Sequence, residues 1–248
     1  MKAKIFTLLL FACLLACDED SGDSTTLNPT GKAGSLARFA LSSTHLYAVD
    51  EQSLNVYRLS ENGALAKTNH TYLGADIETI YIKGSELYIG AQDGMRIFNI
   101  TDPDNPKYKS MYAHITACDP VVVQDTLAFV TYRVSNCRRL GVNALDIINV
   151  KNTERPVLLS SYTLTEPYGL GVKNNLLFVC DGSAGLKIIN VTNPYKPAII
   201  RVYDDIVAQD IIIDGDRIIL TAATGISQYS FTPLGQLQKL SEINVSKN

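Results

Sequence analysis

Tryptophan is absent from the 248 residues, and histidine and methionine occur three times each. His45, His70 and His114 stand far apart, and none has a partner at metal-ligand spacing, so the sequence predicts no metal and no cofactor. Glycine-rich phosphate loops are missing, and so is the Gly-x-Ser-x-Gly nucleophile elbow. No basic stripe runs along the chain, whose formal charge is −3, and this argues against a nucleic-acid partner. No convincing helix can be read. The missing tryptophan also removes a common platform for sugar rings and leaves Tyr132 and Tyr168 as substitutes. What is abundant is the material of a folded domain: 46% hydrophobic residues, 13 tyrosines, and short β-rich runs broken by Gly, Asp, Asn and Pro.

The N-terminus stands outside that pattern. "MKAKIFTLLLFACLLAC" sets Lys2 and Lys4 before an apolar run over 5–16, which is too short to span a bilayer and has the layout of a secretory signal. Its end, "LLAC", resembles the lipobox of bacterial lipoproteins: an aliphatic residue, a variable one, a small one, then the cysteine that is lipidated. The resemblance implies a signal peptide over 1–16 and a lipid on Cys17; the alternative is an ordinary signal peptide. Residues 17–35 are rich in Ser, Thr, Gly and Asp and read as a flexible acidic tether. Asp18, Glu19 and Asp20 resemble surface-export signals of lipoproteins in the Bacteroidetes. The expected location is the outer membrane, surface-exposed, with the periplasmic leaflet as alternative. The membrane is touched through the lipid anchor only.

The rest of the chain repeats itself. "GMRIFNITDPDNP" from Gly94 returns as "GLKIINVTNPYKP" from Gly185, and "NALDIINVKNTERP" lies between them on the same template. "SLNVYRL" from Ser53 and "GISQYSF" from Gly225 match more weakly. Before each copy stands an apolar strand, a turn of Gly, Asp, Asn or Ser type, and a second apolar strand, as in "ETIYIKGSELYIG". A Pro-marked turn and a fourth run follow. Four antiparallel strands in about 40 residues is the signature of a propeller blade. The sequence therefore predicts an all-β fold, a β-propeller of about five four-stranded blades over 36–248. The blades fall near 36–75, 76–116, 117–165, 166–205 and 206–248. A single blade cannot bury both faces of its sheet, and radial stacking does so.

The strands "LKIINV" and "LDIINV", with "ARFAL", "ACDPVVV", "AFVTYR", "PYGLGV" and "CDGSAGLKI", resemble the LVIVD-repeat family of β-propellers, in particular short lipoproteins of the Bacteroidetes. The resemblance covers nearly all of the mature chain and implies a propeller fold and an envelope location. It implies no activity.

In a propeller, the lead-in to each innermost strand and the loop between strands two and three open on one face. That rule gathers Arg38, Glu78, Asp119, Tyr168 and Asp210 at the channel mouth, with Asp93 and Asp181 in neighbouring loops. Asp93 and Asp181 also fit plain turn positions. The third blade has a longer loop, "TYRVSNCRRLGVN", which brings Arg133, Arg138 and Arg139 over an acidic mouth. Arginines there either fork a carboxylate, sulfate or phosphate on a ligand or pair with Glu78 and Asp119. Cys118 and Cys137 fall on the same face of blade three, and in an oxidising compartment they are expected to form a disulfide. Cys180 ends "LLFVC" and is expected to be a buried free thiol.

Two functions follow from this face. The first is a non-catalytic binding module for a protein or glycan ligand, with protein favoured, acting as a monomer. The second is a glycan-active enzyme using Glu78, Asp119 and Asp210 as acid and base, which requires two carboxyl groups roughly 5 to 9.5 Å apart.

Overall fold

The computed structural model describes residues 34–74, 76–113, 120–133 and 142–245. They form twenty strands and one 3₁₀ turn, Gly182–Ala184. Blade 1 holds β1 (Phe39–Leu41), β2 (His45–Val49), β3 (Ser53–Leu59) and β4 (Leu65–Tyr72). Blade 2 holds β5 (Ile77–Lys83), β6 (Glu86–Ala91), β7 (Gly94–Asn99) and β8 (Lys107–Ala113). Blade 3 holds β9 (Val121–Gln124), β10 (Leu127–Tyr132), β11 (Ala144–Asn149) and β12 (Val157–Thr163). Blade 4 holds β13 (Leu170–Lys173), β14 (Leu176–Cys180), β15 (Leu186–Asn190) and β16 (Ala198–Tyr203). Blade 5 holds β17 (Asp210–Asp214), β18 (Arg217–Ala222), β19 (Gly225–Phe231) and β20 (Leu237–Asn244). Each sheet is antiparallel and takes its strands in chain order. The chain is a five-bladed β-propeller, the fold class expected from the repeat.

The thirteen-residue motif now has a physical reading. Its glycine opens the third strand with a positive φ, 142° at Gly94 and 80° at Gly185. A Cβ there would sit 2.2 Å from the carbonyl oxygen of Tyr112 or Tyr203 on the fourth strand, so only glycine fits. Its asparagine ends the strand: the side chains of Asn99, Asn149 and Asn190 each accept the backbone N–H two residues on. This Asx turn starts the connection to the fourth strand. That strand pairs with a bulge at the same place in all five blades, between Val56 and Tyr57, Ile97 and Phe98, Ile147 and Ile148, Ile188 and Ile189, and Gln228 and Tyr229. The bulge recurs even in blades 1 and 5, where the sequence match is weak.

The core lies between blades. One apolar cluster joins blades 1 and 2, including Tyr47, Leu54, Ile80 and Leu87. Others join blades 2 and 3, blades 3 and 4, and blades 4 and 5. Strands sandwiched between neighbours are buried on both faces, as in β14, where all five residues are buried. In β2 burial alternates, and in β17 only Ile211 is buried. Among the described residues no fifth cluster joins blade 5 to blade 1.

That seam is bridged at its inner end. The Ser35 hydroxyl donates to Asp210 Oδ1 at 3.1 Å and accepts the Leu170 N–H at 2.8 Å, while the Leu36 N–H donates to Asp210 Oδ2 at 3.3 Å. The chain thus enters the fold by crossing from blades 4 and 5 to blade 1. Among the described residues, no outer strand is exchanged between the first and last blades.

A channel mouth with two arginines and a bulged glutamate

Four of the residues expected at the mouth do meet there. Arg38, just before β1, is exposed, and its guanidinium donates to the Ile77 carbonyl at 2.7 Å. The next residue, Glu78, is the extra residue of a β-bulge: Ile77 pairs with Ala91 and Thr79 with Gly90, and Glu78 has no opposite number. Among the described residues, no such irregularity interrupts the pairing of the innermost strand with the second in the other four blades. Bulges bend a strand and re-aim one side chain, and they concentrate at functional sites. Burial pushes the Glu78 carboxyl above its usual range, against the opposing pull of Arg38 and Arg133.

Arg133 follows β10 and reaches the neighbouring blade, its guanidinium carbon over the Tyr168 ring at 3.9 Å from the centroid. Tyr168 is fixed at three points. Its hydroxyl donates to Glu166 Oε1 at 3.0 Å, its N–H donates to the Cys180 carbonyl at 2.7 Å, and its own carbonyl accepts the buried Thr131 hydroxyl at 2.8 Å. Blades 1 to 4 thus present guanidinium, carboxylate, guanidinium and aromatic ring in turn around the mouth.

Two other candidates, buried Asp181 and half-buried Asp210, are engaged in holding the fold. Asp181 is fully buried; it accepts the Thr165 N–H at 3.0 Å and the Glu166 N–H at 2.7 Å, and it pairs with Lys187. It holds the lead-in of blade 4 in place. Asp210 accepts from Ser35, from Leu36 and from its own Ile211 N–H at 2.9 Å. Burial raises its carboxyl above the ordinary value, and these hydrogen bonds pull the other way. A Cβ on Gly169 would sit 2.1 Å from Asp210 Oδ1, so a glycine is needed where blade 4 passes this side chain.

Cys17, Cys118, Asp119, Cys137, Arg138 and Arg139 lie outside the described residues, and with them the expected lipidation site and disulfide. Cys180 is a free thiol, and burial pushes its pKa up.

The sequence reading missed several groups. Glu166 lies two residues before Tyr168, outside the lead-in rule. Arg96, Asp146 and Lys187 occupy one repeat position on the third strands, visible when "MRIFN", "LDIIN" and "LKIIN" are aligned. Arg96 makes two hydrogen bonds to Asp93, at 2.7 and 2.8 Å, so Asp93 too is a structural partner. Asp146 is buried and accepts the Tyr112 hydroxyl from blade 2 at 3.0 Å. On the opposite rim, Lys173, Arg201, Asp216 and Leu234 line an open groove of about 740 Å³ between blades 4 and 5. None of the predicted residues reaches it.

No family model and no curated relative matches the chain. Solved structures match its fold. A protein of unknown function from Desulfotomaculum acetoxidans is 10% identical, with a TM-score of 0.69 over 84% of this chain and 69% of that one. The periplasmic gluconolactonase of Pseudomonas aeruginosa is 12% identical, with a TM-score of 0.66 and the same coverage. BamB from Moraxella catarrhalis is 12% identical, with a TM-score of 0.58 over 76% of this chain and 55% of that one. At such identities the likeness is one of fold alone. In all three the match spans part of a longer chain.

Proposed function

We propose that the protein is a lipid-anchored propeller of the bacterial envelope whose top face holds a partner without transforming it. The partner is a protein, with a glycan as the alternative. The observation that carries this reading is the convergence of Arg38, the bulged Glu78 and the Arg133–Tyr168 stack on one mouth. Stacked arginine and tyrosine offer a flat amphipathic surface of the kind enriched at protein interfaces. The anchor rests on the lipobox resemblance at Leu14 to Cys17 and the apolar run before it. An enzymatic reading keeps Glu78, whose raised carboxyl suits a proton donor. Asp210 does not suit the second role, because its oxygens are committed to Ser35, Leu36 and Ile211.

A photo-cross-linking residue placed at position 168, in intact cells, tests this. A partner is expected to be captured from position 168 and not from position 195 on the opposite face, and to be lost in the double variant Arg38→Ala, Arg133→Ala. Equal capture from both faces would remove the top face from consideration. Hydrolysis of a polysaccharide that disappears in Glu78→Gln would replace binding with catalysis.

A further inference from the structure

The groove between blades 4 and 5, on the rim opposite the mouth, coincides with a break in the repeat. The turn from the third strand to the fourth spans 100–106, 150–156 and 191–197 in blades 2, 3 and 4, but only 232–236 in blade 5. Each of these turns crosses to the preceding blade and offers it a backbone carbonyl. Pro103 accepts the Tyr47 hydroxyl at 3.0 Å, Thr153 the Ser110 hydroxyl at 2.6 Å, and Pro194 the Ser160 hydroxyl at 2.6 Å. The turn of blade 5 still reaches blade 4, where the Leu234 carbonyl accepts the Arg201 Nε–H at 2.9 Å, but it has less chain with which to fill the seam. Beside it lies the groove of about 740 Å³, with Leu176, Phe231 and Leu234 as apolar walls and Lys173, Arg201 and Asp216 as its charges. The groove continues past Arg201 and Asp216 into a second hollow of about 650 Å³ lined by Gln236 and Gln238. Its lining is described throughout, and every connection to residues outside the described ones leaves the propeller from the other rim.

We infer that this groove takes a short extended peptide segment of a partner protein, one that carries an acidic residue beside an apolar one. Three observations select this occupant. The first is the repeat itself: at the three preceding seams this rim is bridged by a longer peptide turn of the same chain. The second is charge. Lys173 and Arg201 are half-buried, and among the described residues neither is ion-paired, while Asp216 is exposed. At the seam of blades 1 and 2 the turn brings its own acid, Asp104, to Arg58. The turn of blade 5, "TPLGQ", has none to bring to Arg201, so a carboxylate must come from outside. The third is shape: two joined hollows with apolar walls and a few polar groups fit an elongated ligand. This is a second interface and does not depend on the top-face reading. Tyr195, the control position on this rim, does not line it.

Selection of a displayed library of random short peptides on the immobilised full chain tests the inference. The recovered peptides are expected to carry Asp or Glu next to Leu, Ile, Val or Phe. Their affinity, read by fluorescence polarisation, is expected to fall at least about tenfold in the double variant Lys173→Ala, Arg201→Ala and to stay unchanged in Arg38→Ala, Arg133→Ala. Should the first double variant fail to fold, Leu234→Asp decides. Leu234 is 69% exposed at the lip of the groove, so the aspartate leaves the circular-dichroism spectrum unchanged and is expected to repel the same peptides. A library that yields no enriched peptide, or only basic ones, overturns the inference. So does binding that survives these groove substitutions, or that is lost with Arg38 and Arg133 instead. Self-association of the chain abolished by Leu234→Asp would seat a second copy in the groove and overturn it as well.

Discussion

Asp104 shows how much one turn residue can connect. It belongs to the turn after β7, yet it pairs with Arg58 and accepts or shares a proton with buried His45 at 2.9 Å, both on blade 1. The Thr44 hydroxyl holds the other ring nitrogen at 2.8 Å. The Arg58 guanidinium first, and His45 second, hold the Asp104 carboxyl down to about 2. A depressed folded-state pKa means that the unfolded chain binds the proton more readily. The latch therefore contributes its full stability above the unfolded carboxylate range, about 3.9, and loses it as pH falls toward 2. Urea unfolding at pH 7 and at pH 2 is expected to show a loss of stability in the wild type that is smaller in Asp104→Asn. An equal loss in both would place the acid sensitivity elsewhere. His45 and Asp104 could not be paired from sequence, because they are 59 positions apart and belong to different blades.

At the scale of the element, the repeated glycine is the tightest constraint. In Gly185→Ala the new methyl would meet the Tyr203 carbonyl at 2.2 Å, in a backbone conformation that side chains rarely adopt. Strain of this kind costs about 1–3 kcal/mol before the fourth strand shifts to relieve it. Thermal unfolding of Gly185→Ala is expected at a midpoint lower by several degrees. A midpoint within a degree of wild type would mean that β16 moves aside freely. This constraint was legible in advance as a glycine recurring at one template position in "GMRIFN" and "GLKIIN". The bulge at Glu78 was not. Nothing in "DIETIYIK" distinguishes a bulged residue from a paired one, because the register is set by β6 across the turn.

At the scale of the molecule, stability should not be uniform around the ring. Among the described residues, blades 2 to 4 share apolar clusters with neighbours on both sides, whereas blades 1 and 5 each share one on a single side. Local opening costs least where few apolar contacts hold a sheet. Hydrogen exchange is expected to be slowest in β6, β10 and β14 and faster by at least about tenfold in β2 and β18. Uniform protection across all five blades would show that the fifth seam is packed in solution. A core truncation separates the regions further. Phe178 is fully buried against Phe231 at 5.0 Å between centroids, and Phe178→Ala is expected to cost about 3–5 kcal/mol.

By itself the sequence determined the blade, its repetition five times and the face on which polar lead-ins gather. Those features are local: alternation of apolar residues, turn chemistry and a glycine at a close approach act within about 40 residues, and each copy states them again. The tertiary structure alone decided which carboxylate is committed to holding the fold. Asp210 reads like Glu78 in the sequence, yet it is held by Ser35 from 175 positions away, while Glu78 sits at a bulge near Arg38 and Arg133. It alone revealed that no apolar cluster of the described residues joins blade 5 to blade 1. Whether two blade faces meet depends on the angle summed over every blade between them, a quantity that no single repeat contains.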